Sequence, residues 1–217
     1  MNKLRVGLTG SIGSGKTTVA KMLAAHGAAV VDVDLAGRWV LEHDEKVRQE
    51  IRKAFGAGVF LDDGTIDRPK LGALVFADLQ KLETLNRIVH PPMLEKVLKE
   101  IKTFENDDRH PYIIVDAALI FELNLDKMLD LVVTVSAPLE VSLQRTHLRD
   151  RLSVHQIKQR IQSQIPIDEK IKRSDFVIEN DGSLQDLAQK VAKLHIWLLM
   201  KSKQKALHDR FANKTGP

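Results

Sequence analysis

Residues Gly10 to Thr17 have the sequence Gly-Ser-Ile-Gly-Ser-Gly-Lys-Thr, which constrains this fold more than any other segment. An apolar run, residues 4–8, precedes it, and a helix-like run, residues 18–25, follows it. Glycine, four residues and then Gly-Lys-Thr between a strand and a helix form the phosphate-binding loop, or P-loop, of nucleotide enzymes. Its glycines let the backbone close around a polyphosphate, whose charge is attracted by the N–H groups and the helix N-terminus. An ordinary glycine-rich turn is the alternative, and the flanking strand and helix disfavour it.

The P-loop predicts which residues contact a nucleotide. Lys16 is expected to reach the β- and γ-phosphates, and the Thr17 hydroxyl is expected to bind Mg²⁺. We therefore predict ATP and Mg²⁺ as cofactors. The predicted nucleotide-binding residues are Ser11, Ile12, Gly13, Ser14, Gly15, Lys16, Thr17 and Thr18.

Composition limits the class of protein. A chain of 217 residues that is 43% hydrophobic can bury one substantial core with an inserted subdomain. The absence of cysteine excludes disulfides and thiol chemistry and indicates a cytoplasmic protein. A net charge of +4 suits anionic substrates, while an aromatic content of 5% argues against a stacking surface for nucleic acid. Since we find neither an N-terminal signal nor an apolar run of membrane-spanning length, we predict no membrane partner and no nucleic-acid partner.

Strand-like and helical segments alternate along the chain, which predicts a parallel sheet covered by helices. The expected strands are residues 4–9, 29–33, 112–116, 131–135 and 176–178, and a helix over 183–200 follows the last strand. We predict an α/β fold with three layers, α/β/α, and a five-stranded parallel sheet, the P-loop nucleoside triphosphate hydrolase or kinase fold.

Two segments depart from this alternation. Residues 44–106 are too long for a crossover and too periodic for a loop, so we predict an inserted helical substrate-binding domain. Residues 144–173 are crowded with Arg and Lys, including Lys170, and predict either a mobile lid or a solvated face with pairs such as Glu169 and Arg173. Their position after the fourth strand favours the lid. The core then comprises residues 1–43, 107–143 and 174–200, followed by a polar, basic, frayed tail over 201–217.

Three carboxylates lie at the ends of predicted strands, at the edge where open parallel sheets bind ligands. Alternation along the second strand directs Asp32 and Asp34 to the same side, where one can be a base and the other can organise magnesium. Capping of the following helix by Asp34 is the alternative. Asp116 ends the third strand and resembles a Walker B aspartate that positions Mg²⁺, again with helix capping as the alternative.

Two further positions precede prolines in the predicted insertion. Pro69 and Pro92 fit the first turns of helices, so Asp67 and His90 are expected to organise helix starts. The chain lacks an Asn-Lys-x-Asp motif and the protein-kinase signatures, which disfavours a GTPase and a protein kinase.

Motifs spread over residues 8–194 form a specific set when taken in order and spacing. They are Leu8-Thr9-Gly10 with the P-loop, Val31-Asp32-Val33-Asp34, Asp67-Arg68, Leu71-Gly72, His90-Pro91, Leu119-Ile120-Phe121-Glu122, Gln144-Arg145, Arg160-Ile161, Gln164, Lys170, Ser174-Asp175 and Asn180. Together these motifs resemble the dephospho-CoA kinase family. The resemblance implies an ATP-dependent phosphotransferase of coenzyme A synthesis, which moves the γ-phosphate of ATP to the ribose 3′-hydroxyl of dephospho-CoA. Another small-metabolite kinase, for shikimate, gluconate or a nucleoside, and a regulatory ATP-binding switch are the alternatives.

The resemblance also implies roles for single residues. Catalysis is expected from Lys16 on the phosphate, Asp34 as the base and Arg145 as the lid arginine, with Asn180 beside the adenine. The partners implied are ATP and dephospho-CoA, and we expect a monomer or weak homo-oligomer. The substrate-binding residues implied are Asp32, Asp34, Arg68, Leu71, His90, Leu119 and Glu122, and the metal-binding residues are Thr17 and Asp116.

The chain departs from the family pattern at two positions. Ala118 stands where the family usually has a proline before two leucines, and we expect the chemistry not to depend on that proline. Ser11 stands where glycine is frequent, and the loop tolerates serine there if its φ is negative.

Overall fold

The computed structural model describes residues 3–151 and 153–212. The chain divides into two compact units. One contains the chain up to Val31 and from Ile101 onward, and the other is Asp32–Glu100. The first unit holds the sheet, and the second consists mainly of helices.

The sheet has five strands in the order β2-β3-β1-β4-β5. β1 is parallel to both β3 and β4, so that Leu8 lies opposite Asp116 on one side and Val133 on the other. The predicted α/β fold with its five-stranded sheet is confirmed, and the predicted strand ends differ from the observed ones by at most one residue. The strands are β1 (Leu4–Gly10), β2 (Ala29–Asp32), β3 (Tyr112–Asp116), β4 (Leu131–Ser136) and β5 (Phe176–Glu179).

Helices α1 and α9 cover one face of the sheet. Alternation along β1 places Leu4, Val6 and Leu8 on that face, where they join a core with Leu23 of α1 and Leu194 of α9.

Among the helices of the described residues, none combines the length and the apolar character that a membrane span requires. The helices are α1 (Lys16–Ala25), α2 (Val33–His43), α3 (Glu45–Phe55), α4 (Arg68–Phe76), α5 (Leu79–Glu105), α6 (Leu139–Asp150), α7 (Val154–Gln162), α8 (Ile167–Lys172) and α9 (Leu184–Ala212).

Helix α5 corrects the prediction of a helix start at Pro92. The helix runs through Pro91 and Pro92 without ending, so His90 lies inside it and organises no helix start. Val89, Met93 and Val97 are buried at four-residue spacing along one stripe. Burial of that continuous stripe outweighs the backbone hydrogen bonds that prolines cannot make.

The second unit differs from the predicted insertion in its boundaries. It begins at Asp32, because α2 follows β2 without a linker, and it ends at Glu100 inside α5. Asp67 caps α4 as predicted, accepting a hydrogen bond from the Lys70 N–H at 3.1 Å. The substrate-binding role of this unit remains a prediction. The predicted lid, residues 144–173, covers most of α6 and all of α7 and α8, and Leu152 within it lies outside the described residues.

The expectation of a frayed tail from residue 201 is wrong for residues 201–212. Helix α9 continues to Ala212, well past the predicted end at Met200. Its polar residues anchor it to the sheet, because Lys205 Nζ lies 2.6 Å from the Asp130 carboxylate and the Ser202 hydroxyl donates to the Pro111 carbonyl at 2.7 Å. Residues 213–217 lie outside the described part of the chain.

Two histidines, His26 and His195, stack between α1 and α9. We predict from this contact that acid destabilises the fold. His195 stacks on His26 at 4.7 Å and shares a hydrogen bond of 2.7 Å with the Tyr112 hydroxyl. Burial and then the His26 charge lower the pKa of His195 from its ordinary 6.5. As pH falls through 6.5 the unfolded chain takes up the proton first, so stability is full above that pH and falls below it. Thermal melts from pH 8 to 5 should show this loss, and His195→Gln should make it shallower; an unchanged slope would contradict the assignment.

Candidate active site

The P-loop has the backbone geometry that its glycines permit. Gly13 and Gly15 have φ values of 77° and 92°, in the left-handed region that side chains disfavour. A Cβ atom on Gly10 or Gly13 would also collide with a backbone carbonyl, that of Val135 or Ser142 respectively. Ser11 is outside the left-handed region, so serine is tolerated there as expected.

The start of α1 is suited to anions. Gly15 is its N-cap residue and provides no side-chain hydrogen bond, and no acidic residue lies in the first turn. The N–H groups of that turn and the positive end of the helix dipole are therefore not neutralised by a carboxylate of the helix itself. Thr17 lies in this turn and is exposed.

Lys16 and Asp116 form an ion pair beside the P-loop. The Lys16 ammonium donates to Asp116 Oδ1, and their side chains are only 12% and 4% exposed. Asp116 is the last residue of β3, and the segment after it is a series of turns, so the alternative of helix capping is wrong. The first unit thus brings the P-loop lysine together with the predicted Walker B aspartate.

Arg145 and Asn180 lie on the other side of the P-loop. The Asn180 side-chain amide donates to the Ser14 carbonyl at 2.8 Å, and Arg145 donates to the Asn180 carbonyl at 3.3 Å. Asn180 approaches Gly15 so closely that a Cβ atom there would collide with its amide nitrogen. Both predicted residues therefore adjoin the nucleotide loop within the first unit.

Lys170 is a functional candidate whose position we mispredicted by including it in the basic lid. Its side chain is 1% exposed, and it lies 3.0 Å from Glu122 Oε1 and donates to the Ala118 carbonyl at 2.6 Å. Burial lowers the pKa of the Lys170 ammonium, while its hydrogen bond to Glu122 acts in the opposite direction. Glu122 is therefore held by a lysine, and Leu119, between Ala118 and Glu122, is partly buried.

The alanine at position 118 leaves this arrangement intact. Ala118 contributes its carbonyl oxygen, which accepts from Lys170 and also from the Thr9 hydroxyl at 3.0 Å. A proline would supply the same carbonyl. The departure from the family pattern therefore does not remove this hydrogen-bond acceptor, the carbonyl of residue 118.

Three exposed basic residues of segment 144–173 make ion pairs. Arg149 pairs with its neighbour Asp150 at 2.7 Å. Lys172 pairs with Glu169 at 2.7 Å, whereas Arg173 pairs with Asp126 at 3.2 Å. The expectation that Glu169 pairs with Arg173 is therefore wrong. Glu169 pairs with Lys172, three residues away on α8.

The two aspartates at the end of β2 have different positions in the second unit. Helix α2 begins at Val33, so strand alternation does not extend to Asp34, and the predicted reason for both aspartates to share one side is wrong. Asp32, not Asp34, is the cap, since its carboxylate accepts from the Leu35 N–H at 2.8 Å. Asp34 lies in the first turn of α2.

The remaining predicted substrate residues also lie in the second unit. Arg68 is exposed and is 3.8 Å from Glu42. Leu71 is 3% exposed and belongs to the apolar interior. His90 is partly buried within α5, and this burial lowers its pKa. The described residues contain no group of three potential ligands that could by itself hold a metal ion.

The family model for dephospho-CoA kinase matches residues 4–186 of this chain. The chain belongs to that family. A dephospho-CoA kinase from Bacillus licheniformis is 40% identical over 88% of this chain and 94% of its own, and one from Anaeromyxobacter dehalogenans is 40% identical over 87% and 89%. These matches confirm the predicted family and its enzyme class, an ATP-dependent phosphotransferase.

Solved structures agree with this family assignment. A Thermus thermophilus protein is 32% identical, with a TM-score of 0.75 over 100% of both chains. A dephospho-CoA kinase from Campylobacter jejuni is 27% identical, with a TM-score of 0.62 over 91% of this chain and 98% of its own. The P-loop kinase fold predicted from the sequence is therefore confirmed.

Proposed function

We propose that this member of the family transfers the γ-phosphate of ATP to the ribose 3′-hydroxyl of dephospho-CoA and uses Mg²⁺. The observation that carries the proposal is the buried pair of Lys16 and Asp116 beside a P-loop with the backbone of a phosphate cradle. Release of ADP should depend strongly on dephospho-CoA. Shikimate, gluconate or a nucleoside as the preferred acceptor would refute the assignment, and stimulation by a macromolecule alone would favour a regulatory switch.

Lys16 and the N–H groups of the P-loop carry the electrostatic part of the mechanism. Phosphoryl transfer requires positioning and neutralisation of charge more than covalent chemistry. Asp116 keeps the Lys16 ammonium at the loop, and the phosphates of ATP offer that ammonium a competing anionic partner. Lys16 then stabilises charge that develops on the transferred group.

The residues present fit Mg²⁺. This ion prefers oxygen ligands and usually takes only one or two carboxylates, with substrate phosphates and water as the others. The Asp116 carboxylate and the exposed Thr17 hydroxyl supply such oxygens. Mg²⁺ supplies further neutralisation of phosphate charge when it is bound.

Asp34 is the proposed base that takes the proton of the acceptor hydroxyl. The residues proposed for acceptor binding are Asp32, Arg68, Leu71, His90, Leu119 and Glu122. The assignment of Asp34 rests on the family resemblance, and the capping bond of Asp32 supports it. Because the Asp32 carboxylate is engaged by the Leu35 N–H, Asp34 is the better candidate of the two.

Arg145→Ala should lower kcat on the order of 10²-fold or more, with a much smaller effect on dephospho-CoA binding. Arg145 reaches the P-loop region through Asn180, from which it can contact the transferred phosphate. Arg149→Ala is the matched control, since Arg149 is exposed and paired with Asp150, and it should leave kcat nearly unchanged. Equal losses in kcat from both substitutions would show that the general charge of the segment, not Arg145, matters.

The proposed motion of the lid has its own test. Hydrogen exchange across residues 149–164 should slow when ATP and an unreactive acceptor analogue are both bound, because closure excludes water from the site. Exchange that is already slow in the free protein and is unchanged by ligands would make the segment a fixed helical face. Arg145 would then be a static phosphate ligand.

We further propose that the enzyme is a monomer or weak homo-oligomer of the cytoplasm, without nucleic-acid or membrane partners. Its anionic substrates are sufficient to explain the net charge of +4, so the charge does not require a nucleic-acid or membrane partner. Sedimentation over a range of concentrations tests the oligomeric state, and cell fractionation tests the location.

A further inference from the structure

Lys170 carries a charge in a position where charge is costly. Its ammonium belongs to a side chain that is 1% exposed, and such a group is tolerated only when it is paired and hydrogen-bonded. The Ala118 carbonyl at 2.6 Å and Glu122 Oε1 at 3.0 Å meet this need. The Lys170 carbonyl in turn accepts from the Ser174 hydroxyl at 2.7 Å, which fixes the end of α8.

The partners of Lys170 connect three segments of the first unit. The Ala118 carbonyl also accepts from the hydroxyl of Thr9, the residue before the P-loop. Glu122 Oε1 also accepts from the Ile165 N–H at 2.8 Å, just before α8. The turn that follows β3, residues 117–122, is therefore tied to the P-loop strand and to the base of the predicted lid.

The same turn begins directly after Asp116. Asp116 holds Lys16, so a shift of residues 117–122 would displace the pair that the P-loop presents to phosphate. Lys170 donates to the turn, so it can act on the Lys16–Asp116 pair through residues 117–122.

We propose that Lys170 is a positioning residue for phosphoryl transfer, which fixes the turn 117–122 and thereby the Lys16–Asp116 pair. This inference rests on the kinase activity proposed above. The competing explanation is that Lys170 only compensates the Glu122 carboxylate. The two explanations differ in what happens when both charges are removed together.

Three variants separate the two explanations: Lys170→Met, Glu122→Gln and the double variant. Lys170→Met should lower both kcat and Tm, because it leaves the Ala118 carbonyl short of a donor and Glu122 without its countercharge. We expect kcat to fall on the order of 10²-fold, with KM for ATP changing by less than about threefold. The double variant should regain Tm but have a much lower kcat than Glu122→Gln alone, since the Ala118 carbonyl still lacks its ammonium donor. A double variant with the same kcat as Glu122→Gln would overturn the proposal.

Two controls make the result decisive. Tyr112→Phe removes the bond to His195 and should lower Tm without lowering kcat, which excludes a general effect of instability. Should Lys170→Met fail to fold, the double variant and Thr9→Val, which removes the second donor to Ala118, carry the same test. Wild-type kcat in either of these folded variants would overturn the proposal.

A readout that does not depend on turnover separates this inference from the proposed function. Amide exchange of residues 117–122 should quicken in Lys170→Met and in the double variant, compared with the wild type. Unchanged exchange would refute the tether even in an active enzyme. A wild-type protein without acceptor-dependent turnover would instead refute the proposed function.

Discussion

Replacement of Lys16 by alanine is expected to abolish turnover, with kcat lowered by ~10³-fold or more. The ammonium is fixed at the P-loop by Asp116 and is the only lysine charge in the motif, so water cannot replace it with the same orientation. Circular dichroism should show a folded protein. Tm should fall, because Asp116 is 4% exposed and loses its countercharge.

The matched control for this substitution is Lys21→Ala, on the exposed side of the same helix. It removes the same charge and the same aliphatic stem but should leave kcat unchanged. A Lys16→Ala enzyme that keeps a tenth of wild-type activity with an unchanged dichroism spectrum would contradict the role of Lys16.

Asp34→Asn should lower kcat on the order of 10²-fold or more while ATP affinity stays nearly intact. The substitution keeps the shape of the side chain and removes only the proton acceptor. Steady-state kinetics should be measured together with ATP binding to the same variant.

Asp32→Asn is the isosteric control, two residues away. Asparagine caps a helix about as well as aspartate, so both Tm and kcat should change little, and the proposed role of Asp32 in acceptor binding should appear in the KM for dephospho-CoA. Asp32→Ala, which removes the cap itself, should cost ~1 kcal/mol of stability and leave the chemistry in place. A large loss from Asp32→Asn with none from Asp34→Asn would transfer the role of base to Asp32.

Local signals in the sequence were sufficient for the parts of the fold that depend on neighbouring residues. The P-loop was predictable because positive φ at Gly13 and Gly15 requires glycine, and the strands because their apolar runs are short and bounded. The cap of α4 at Asp67 was predictable for the same reason, since a carboxylate and a proline in the first turn act within one helical turn.

Features that depend on distant contacts were not predictable. Pro92 indicates a helix start locally, but α5 continues because its buried stripe spans the prolines. Lys205 resembles a residue of a polar tail until its partner Asp130, 75 residues away, is known. The charge of Lys170 likewise resembles that of its exposed neighbours, and only the packing of α8 against Ala118 and Glu122 distinguishes it.

The most direct test is to incubate the purified protein with ATP, Mg²⁺ and dephospho-CoA and to identify the products by mass. We expect the acceptor to gain one phosphate and to become identical to coenzyme A, with ADP formed in equal amount and little ADP formed without acceptor. Consumption of ATP without any gain of phosphate on dephospho-CoA would contradict the proposed function.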